Sequence, residues 1–138
     1  MFRFTFTLPV RYSDIDAQGH LNHARYFSFM EEARFQYMIA VGLWHPTQSF
    51  EAVGQVVAEA TCVYKAPVLA NQNVTIAVRT TQIGNKSMAL NYEMRVGETL
   101  VATGRTVQVA YDYAAHRSRP VPADWREKIQ AFEAGIIS

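Results

Sequence analysis

The sequence predicts an α+β domain in which a curved antiparallel sheet wraps around one long central helix. Two periodicities carry that expectation. Apolar residues recur at three- and four-residue steps between about Asn22 and Gly42, the one long helical pattern before the C-terminal tail. Elsewhere segments alternate apolar with polar or are rich in β-branched and aromatic residues, the pattern of strands. The third observation is bulk: 138 residues with 49% hydrophobic content fit a single domain, 1–138, with a real core. A helix apolar over a wide face needs the sheet to curve around it.

The elements follow in order. In "FRFTFTLPVRY", Phe2, Phe4 and Phe6 alternate with Arg3, Thr5 and Thr7, which predicts a half-buried strand ended by the loop "SDIDAQG". The helix then places Tyr26, Phe29, Met30, Ala33, Tyr37, Met38 and Val41 on one face, with Arg25, Glu31, Glu32 and Gln36 elsewhere. Asn22 is its expected N-cap and Gly42 its stop. Four strands are expected in "GQVVAEATCVYKA", "NVTIAVRTTQI", "SMALNYEMRV" and "TLVATGRTVQVAYDY". The turns "APVLANQN", "GNKS" and "VGET" between them are short, which favours antiparallel neighbours. Gly104 inside the last strand marks an expected bend or bulge. "PADWREKIQAFEAG" predicts a closing helix from Pro122 to Gly135.

Composition narrows the function classes. A net charge of +1 and a pI near 7.9 give no general basic field, so nucleic acid is not an expected partner. No run approaches bilayer length and the N-terminus lacks the apolar core of a signal peptide, so no membrane association is expected. The single cysteine, Cys62, cannot form an internal disulfide, and its strand setting predicts a buried thiol. The expected location is the reducing cytoplasm.

Chemistry concentrates in "RYSDIDAQGHLNHARYF", where two Asp, two His, an Asn and a Gly precede the helix. Asp14 and Asp16 can serve as turn residues, since Asp before a helix forms Asx-turns and favours the positive helix end. A calcium loop fails at its second half: counting from Asp14, Gly19 is sixth as required, but Arg25 stands twelfth where a bidentate Glu should close the site. Asp16, His20 and His23 offer three zinc ligands, but a shared face for the two imidazoles is not assured and no cysteine lies nearby; no metal is expected. The remaining reading uses the helix start itself. Its unpaired N–H groups carry partial positive charge and can bind an oxygen on which negative charge develops. A carboxylate at Asp16 across the same pocket could attack a polarised carbonyl or take a proton from water.

The ordered set "DIDAQGHLNHARYFSFMEEAR" resembles the D-x-D-x-x-G-H-x-N-N-x-x-Y signature and E-x-A-R helix of the 4-hydroxybenzoyl-CoA thioesterase-like branch of the hotdog-fold superfamily. The resemblance continues through "VVAEATCVYKAPVLANQNVTIAVRTTQIGNKSMALNYEM" and covers nearly the whole chain. It implies a hotdog fold and makes Asp16 the nucleophile or general base. The polarising backbone N–H falls at His23, with Asn22 as cap and as a contact for water or the carbonyl. Tyr26 matches the motif tyrosine beside the acyl pocket. Lys86 and Ser87 match a position near the coenzyme A arm in relatives. His23 stands where the motif has its second Asn, so a backbone donor survives there but the amide side chain does not.

The expected activity is hydrolysis of an acyl-CoA thioester, aliphatic or aromatic, to free acid and CoA, without a cofactor. The resemblance further implies a homodimer joined edge to edge, or a homotetramer, with sites between subunits. Two other classes stay open. A hotdog hydratase would add water to an enoyl thioester without releasing thiol, with Asp14 or Asp16 and His20 at its centre. A non-catalytic acyl-CoA or acyl-carrier-protein binding module would hold the thioester unchanged.

Overall fold

Alternation sets the first strand of the computed structural model, which describes residues 1–134. In β1 (Phe4–Pro9), Phe4, Phe6 and Leu8 turn inward and Thr5 and Thr7 outward. A single 3₁₀ turn over Tyr12–Asp14 and a loop lead into α1 (Arg25–Val41). A second 3₁₀ turn over Phe50–Val53 precedes β2 (Gln55–Tyr64), which is followed by β3 (Asn73–Ile83), β4 (Ser87–Val96) and β5 (Thr99–Asp112). The short β6 (Arg117–Ser118) pairs with the end of β5, and α2 (Ala123–Glu133) closes the described chain. The two 3₁₀ turns and β6 carry no signal read in the sequence. The five long strands form one antiparallel sheet in the order β1-β3-β4-β5-β2, which curls around α1 as a hotdog fold.

All seven apolar positions expected on the helix face are buried, six of them in one cluster with Ile76 and Val78 of β3 and Leu90, Tyr92 and Met94 of β4, and Met38 in a second with Trp44 and Val53. Burying a side chain of this size contributes roughly 1.5–3 kcal/mol, so this face is the main source of core stability. Arg34 shares that face. Its guanidinium donates to the Tyr92 hydroxyl at 3.2 Å, and Tyr92 pairs with the Thr106 hydroxyl at 2.8 Å, so the polar head is accommodated inside. Gly42 ends the helix at φ 91°, with its N–H returned to Met38 and Ile39.

Four expectations are revised. β2 is not beside β3: the connection 65–72 carries the chain across, β1 takes the place next to β3, and β2 pairs with β5 at the far edge. Asn22 is not the N-cap; Ala24 holds that position, and the Asn22 Oδ1 accepts the Ala24 N–H at 3.0 Å one step earlier. Gly104 makes no bulge, because its pairing with Cys62 and Tyr92 is in register. A Cβ there would instead collide with the Met30 sulfur, so the glycine makes room for the helix. Cys62 is half-buried rather than buried. The expected stop at Gly135 lies outside the described residues; Ala134 takes the left-handed position after α2.

Edge strand β2 is the exposed part of the fold. Val57, Ala60 and Tyr64 pair with Gln108, Thr106 and Ala102, all buried, so they point to the inner side of the sheet. They are nevertheless exposed, Val57 by 47% and Tyr64 by 45%, because α1 lies chiefly over β1 and β3. An apolar inner face is thus left partly uncovered at one edge.

Candidate active site

The loop between β1 and α1 is closed by its own backbone. Ile15 bridges Leu21, the Asn22 N–H donates to the Asp14 carbonyl at 2.8 Å, and the Asp16 N–H donates to the His20 carbonyl at 2.8 Å. Leu21 is buried and its N–H reaches the Val68 carbonyl at 2.7 Å, tying the loop to the segment after β2. Gly19 turns the chain at φ 79°, a left-handed conformation that L side chains resist.

The two carboxylates of the D-x-D pair take different tasks. Asp14 is buried; its Oδ2 accepts the Arg11 N–H at 2.9 Å, and the side chains of Arg11 and Arg25 lie at 3.5 and 3.9 Å. It anchors the base of the loop. Asp16 is half-buried and uses one oxygen only: Oδ1 accepts the Gln18 and His20 N–H groups at 2.9 and 3.2 Å. Its Oδ2 has no partner among the described residues. The turn bonds therefore occupy one oxygen and leave the other without a partner among the described residues.

Asp16 faces a cavity of about 350 Å³, walled by His20, Leu21, His23, Tyr26, Tyr64, Lys65, Ala66 and Pro67. That volume lies in the range of small-molecule sites, enough for the reacting end of a ligand. His23 stands at the turn into α1, and its N–H has no acceptor among the described residues, whereas the Arg25 N–H is used by the Asn22 carbonyl at 2.9 Å. Tyr26, in the first turn of α1, meets Tyr64 edge to face with centroids 4.8 Å apart. Burial, then the neighbouring Cys62, pushes both phenols above their usual range, so they remain protonated donors at neutral pH.

Of the residues singled out in the sequence, the fold brings Asp16, His23 and Tyr26 together at this cavity, with His20 beside them. Asn22 lies behind the wall and shapes the turn. Lys86 and Ser87 sit at the β3–β4 turn and the start of β4 and do not line the cavity of their own chain. Sequence reasoning missed Tyr64 and Lys65. The available signal was the inward alternation of Ala60, Cys62 and Tyr64 running into Pro67, which ends the strand beside the loop.

A sequence model of the Thioesterase-like superfamily matches residues 10–129. The chain is 31% identical over 112 residues to the acyl-CoA thioesterase YbgC of Haemophilus influenzae, covering 78% of this chain and 79% of that protein. It is 24% identical over 131 residues to the 1,4-dihydroxy-2-naphthoyl-CoA hydrolase of Synechococcus elongatus, covering 91% and 96%. A thioesterase from Thermus thermophilus, solved in complex with coenzyme A and Zn, superimposes with a TM-score of 0.85 at 31% identity over 96% of each chain.

Proposed function

The chain belongs to the thioesterase-like superfamily, and from that premise we propose that it is an acyl-CoA thioesterase whose reaction is carried by Asp16 and the start of α1. The observation that carries the assignment of residues is the pairing of unused groups: the free Oδ2 of Asp16 and the undonated N–H of His23 belong to residues walling one cavity.

The thioester carbonyl oxygen accepts the His23 N–H, which stabilises the negative charge that develops there. Asp16 Oδ2 then acts in one of two ways. As a nucleophile it attacks the carbonyl carbon, the C–S bond breaks, CoA leaves as thiolate, and water cleaves the acyl-aspartyl anhydride. As a base it takes a proton from water while that water attacks, and the proton passes to the departing sulfur. Either route yields the free acid and CoA. Asn22 supports the turn that presents the N–H, and Tyr26 walls the acyl side.

The same reading assigns a homodimer joined through β2. An edge strand with exposed Val57, Val63 and Tyr64 is covered by a second edge. Antiparallel self-pairing sets the Gln55 end of one copy against the Tyr64 end of the other. Gln55 pairs with Ala110, whose N–H donates to the Lys86 carbonyl at 2.9 Å, and Ser87 pairs with Val109. Lys86 and Ser87 of the partner subunit then lie about 14 Å from Tyr64, three strand spacings of roughly 4.8 Å, on the path the pantetheine arm would follow. The proposed setting is the cytoplasm; among the described residues no helix is long and apolar enough to cross a membrane.

The test is thiol release from short, long and aromatic acyl-CoAs by wild type and Asp16→Ala in parallel. Wild-type release that falls by about 10²–10⁴ in the variant is expected for loss of a general base or nucleophile. Accumulation of a 3-hydroxyacyl thioester with no free thiol, or binding with the thioester intact, would replace this reading.

A further inference from the structure

We propose that the Tyr64 hydroxyl is the positioning group for the oxyanion donor, holding His23 in place through its backbone carbonyl. The proposal rests on the thioesterase reading above and adds to it a residue from a different element.

Tyr64 is the last residue of β2, 41 positions from His23, and its hydroxyl donates to the His23 carbonyl at 3.0 Å. No other hydrogen bond involves His23 among the described residues: its side chain is exposed and its N–H is free. The bonds on either side, from the Ala24 and Arg25 N–H groups, both end on Asn22. The donor peptide, Asn22–His23, is held within the turn through the Asn22 carbonyl, which accepts the Arg25 N–H. The next peptide, His23–Ala24, is held from a different element by the Tyr64 phenol, so the phenol fixes the far side of the residue whose N–H faces the substrate.

That phenol is itself held. Its ring stands edge to face on Tyr26, at 81° between planes, and Tyr26 is buried in the first turn of α1. Tyr26 sets the ring, and the ring's hydroxyl sets His23, so the end of β2 and the start of α1 are bracketed at two points. An aromatic with two side-chain torsions suits this role because little freedom is lost when it is locked. The hydroxyl spends its one proton on a carbonyl rather than on the cavity, so its contribution is alignment.

Alignment is read in turnover. A misplacement of about 1 Å can cost about 10²-fold in rate, and loss of one of several restraints should cost a part of that, roughly tenfold. Tyr64→Phe removes the oxygen and keeps the ring on Tyr26. The expected result is a roughly tenfold lower kcat with KM and the unfolding midpoint unchanged. Tyr64→Leu removes the ring as well and should raise KM in addition. A wall residue with no aligning role would move KM or stability in Tyr64→Phe and leave kcat alone. Wild-type kcat in Tyr64→Phe, or a loss confined to KM, overturns the proposal while Asp16-dependent thiol release leaves the thioesterase reading standing. Absence of thiol release from wild type overturns both.

Discussion

Asp16 shows why a loop carboxylate before a helix is hard to read from sequence. Asx-turn chemistry and the proposed catalysis call for the same residue at the same place, and here Oδ1 makes the turn while Oδ2 has no partner among the described residues. The division depends on Gly19. With Gly19 left-handed at φ 79°, the chain doubles back so that the Gln18 and His20 N–H groups converge on Oδ1. Nothing lies within 4 Å of a Cβ built at Gly19, so substitution there tests conformation without steric collision. Gly19→Ala is expected to cost about 1–2 kcal/mol, the penalty for an L residue in this region, and to lower kcat by releasing the carboxylate. Gly19→Asn, which tolerates the left-handed region, should recover most of both. Denaturant midpoints and thiol release on the three proteins decide it; equal losses in Ala and Asn would mean that the turn does not orient Asp16.

At the scale of elements, α2 is attached by a polar contact inside the core. Glu133 is fully buried; its Oε2 accepts the Tyr37 hydroxyl and, at 3.2 Å, the Thr80 N–H. Burial and the carboxyl neighbour push the Tyr37 phenol upward, which keeps it a donor. Glu133→Ala strips an acceptor from a buried hydroxyl and a buried N–H, and should cost about 1–3 kcal/mol or more. Glu133→Gln keeps an acceptor and should cost less. Urea melts of the two variants check the order, and an unchanged midpoint in Glu133→Ala would show that α2 is held by its other contacts, those of Trp125, Ile129 and Phe132 among them. This latch was not legible in sequence, since nothing in "QAFEAG" separates Glu133 from a solvated charge. The same holds for Arg34, whose partner Tyr92 is 58 residues away. What could be read was local. The period of α1, the alternation of β1 and β3 and the Gly42 stop are set by neighbours within a few positions, and each was expected where it stands. The ordered motif brought Asp16, His23 and Tyr26 to one cavity in advance. Strand order was not local. The short connection after β2 favoured β3 as its neighbour, but β1, earlier in the chain, already occupies that edge of β3. With β2 displaced to the far edge, Tyr64 and Lys65 reach the cavity by a route that spacing alone does not show.

The whole molecule turns on what covers β2. Within one chain its inner face is left partly bare, and Val63 on the outer face is also exposed by 52%. Paired edge strands would satisfy its backbone and bury these side chains together. Such pairing would also stiffen the strand end that carries Tyr64, and so the start of α1, which makes the oligomer part of the site as well as its frame. The double substitution Val57→Lys with Val63→Lys places like charges on both faces of the edge while leaving the pairing with β5 and the cavity walls unaltered. Each copy would bring two lysines to the junction, and repulsion together with lost apolar burial should raise the dimer dissociation constant by about 10²-fold or more, the factor that corresponds to about 2.8 kcal/mol. Sedimentation should then show monomers in place of the proposed wild-type dimer, with circular dichroism unchanged because the sheet of each chain persists. Thiol release should fall with the dimer fraction, and adding protein should restore both together. A monomeric variant with full turnover at every concentration would mean that one chain holds a complete site, and the partner's Lys86 and Ser87 would then have no part in binding coenzyme A.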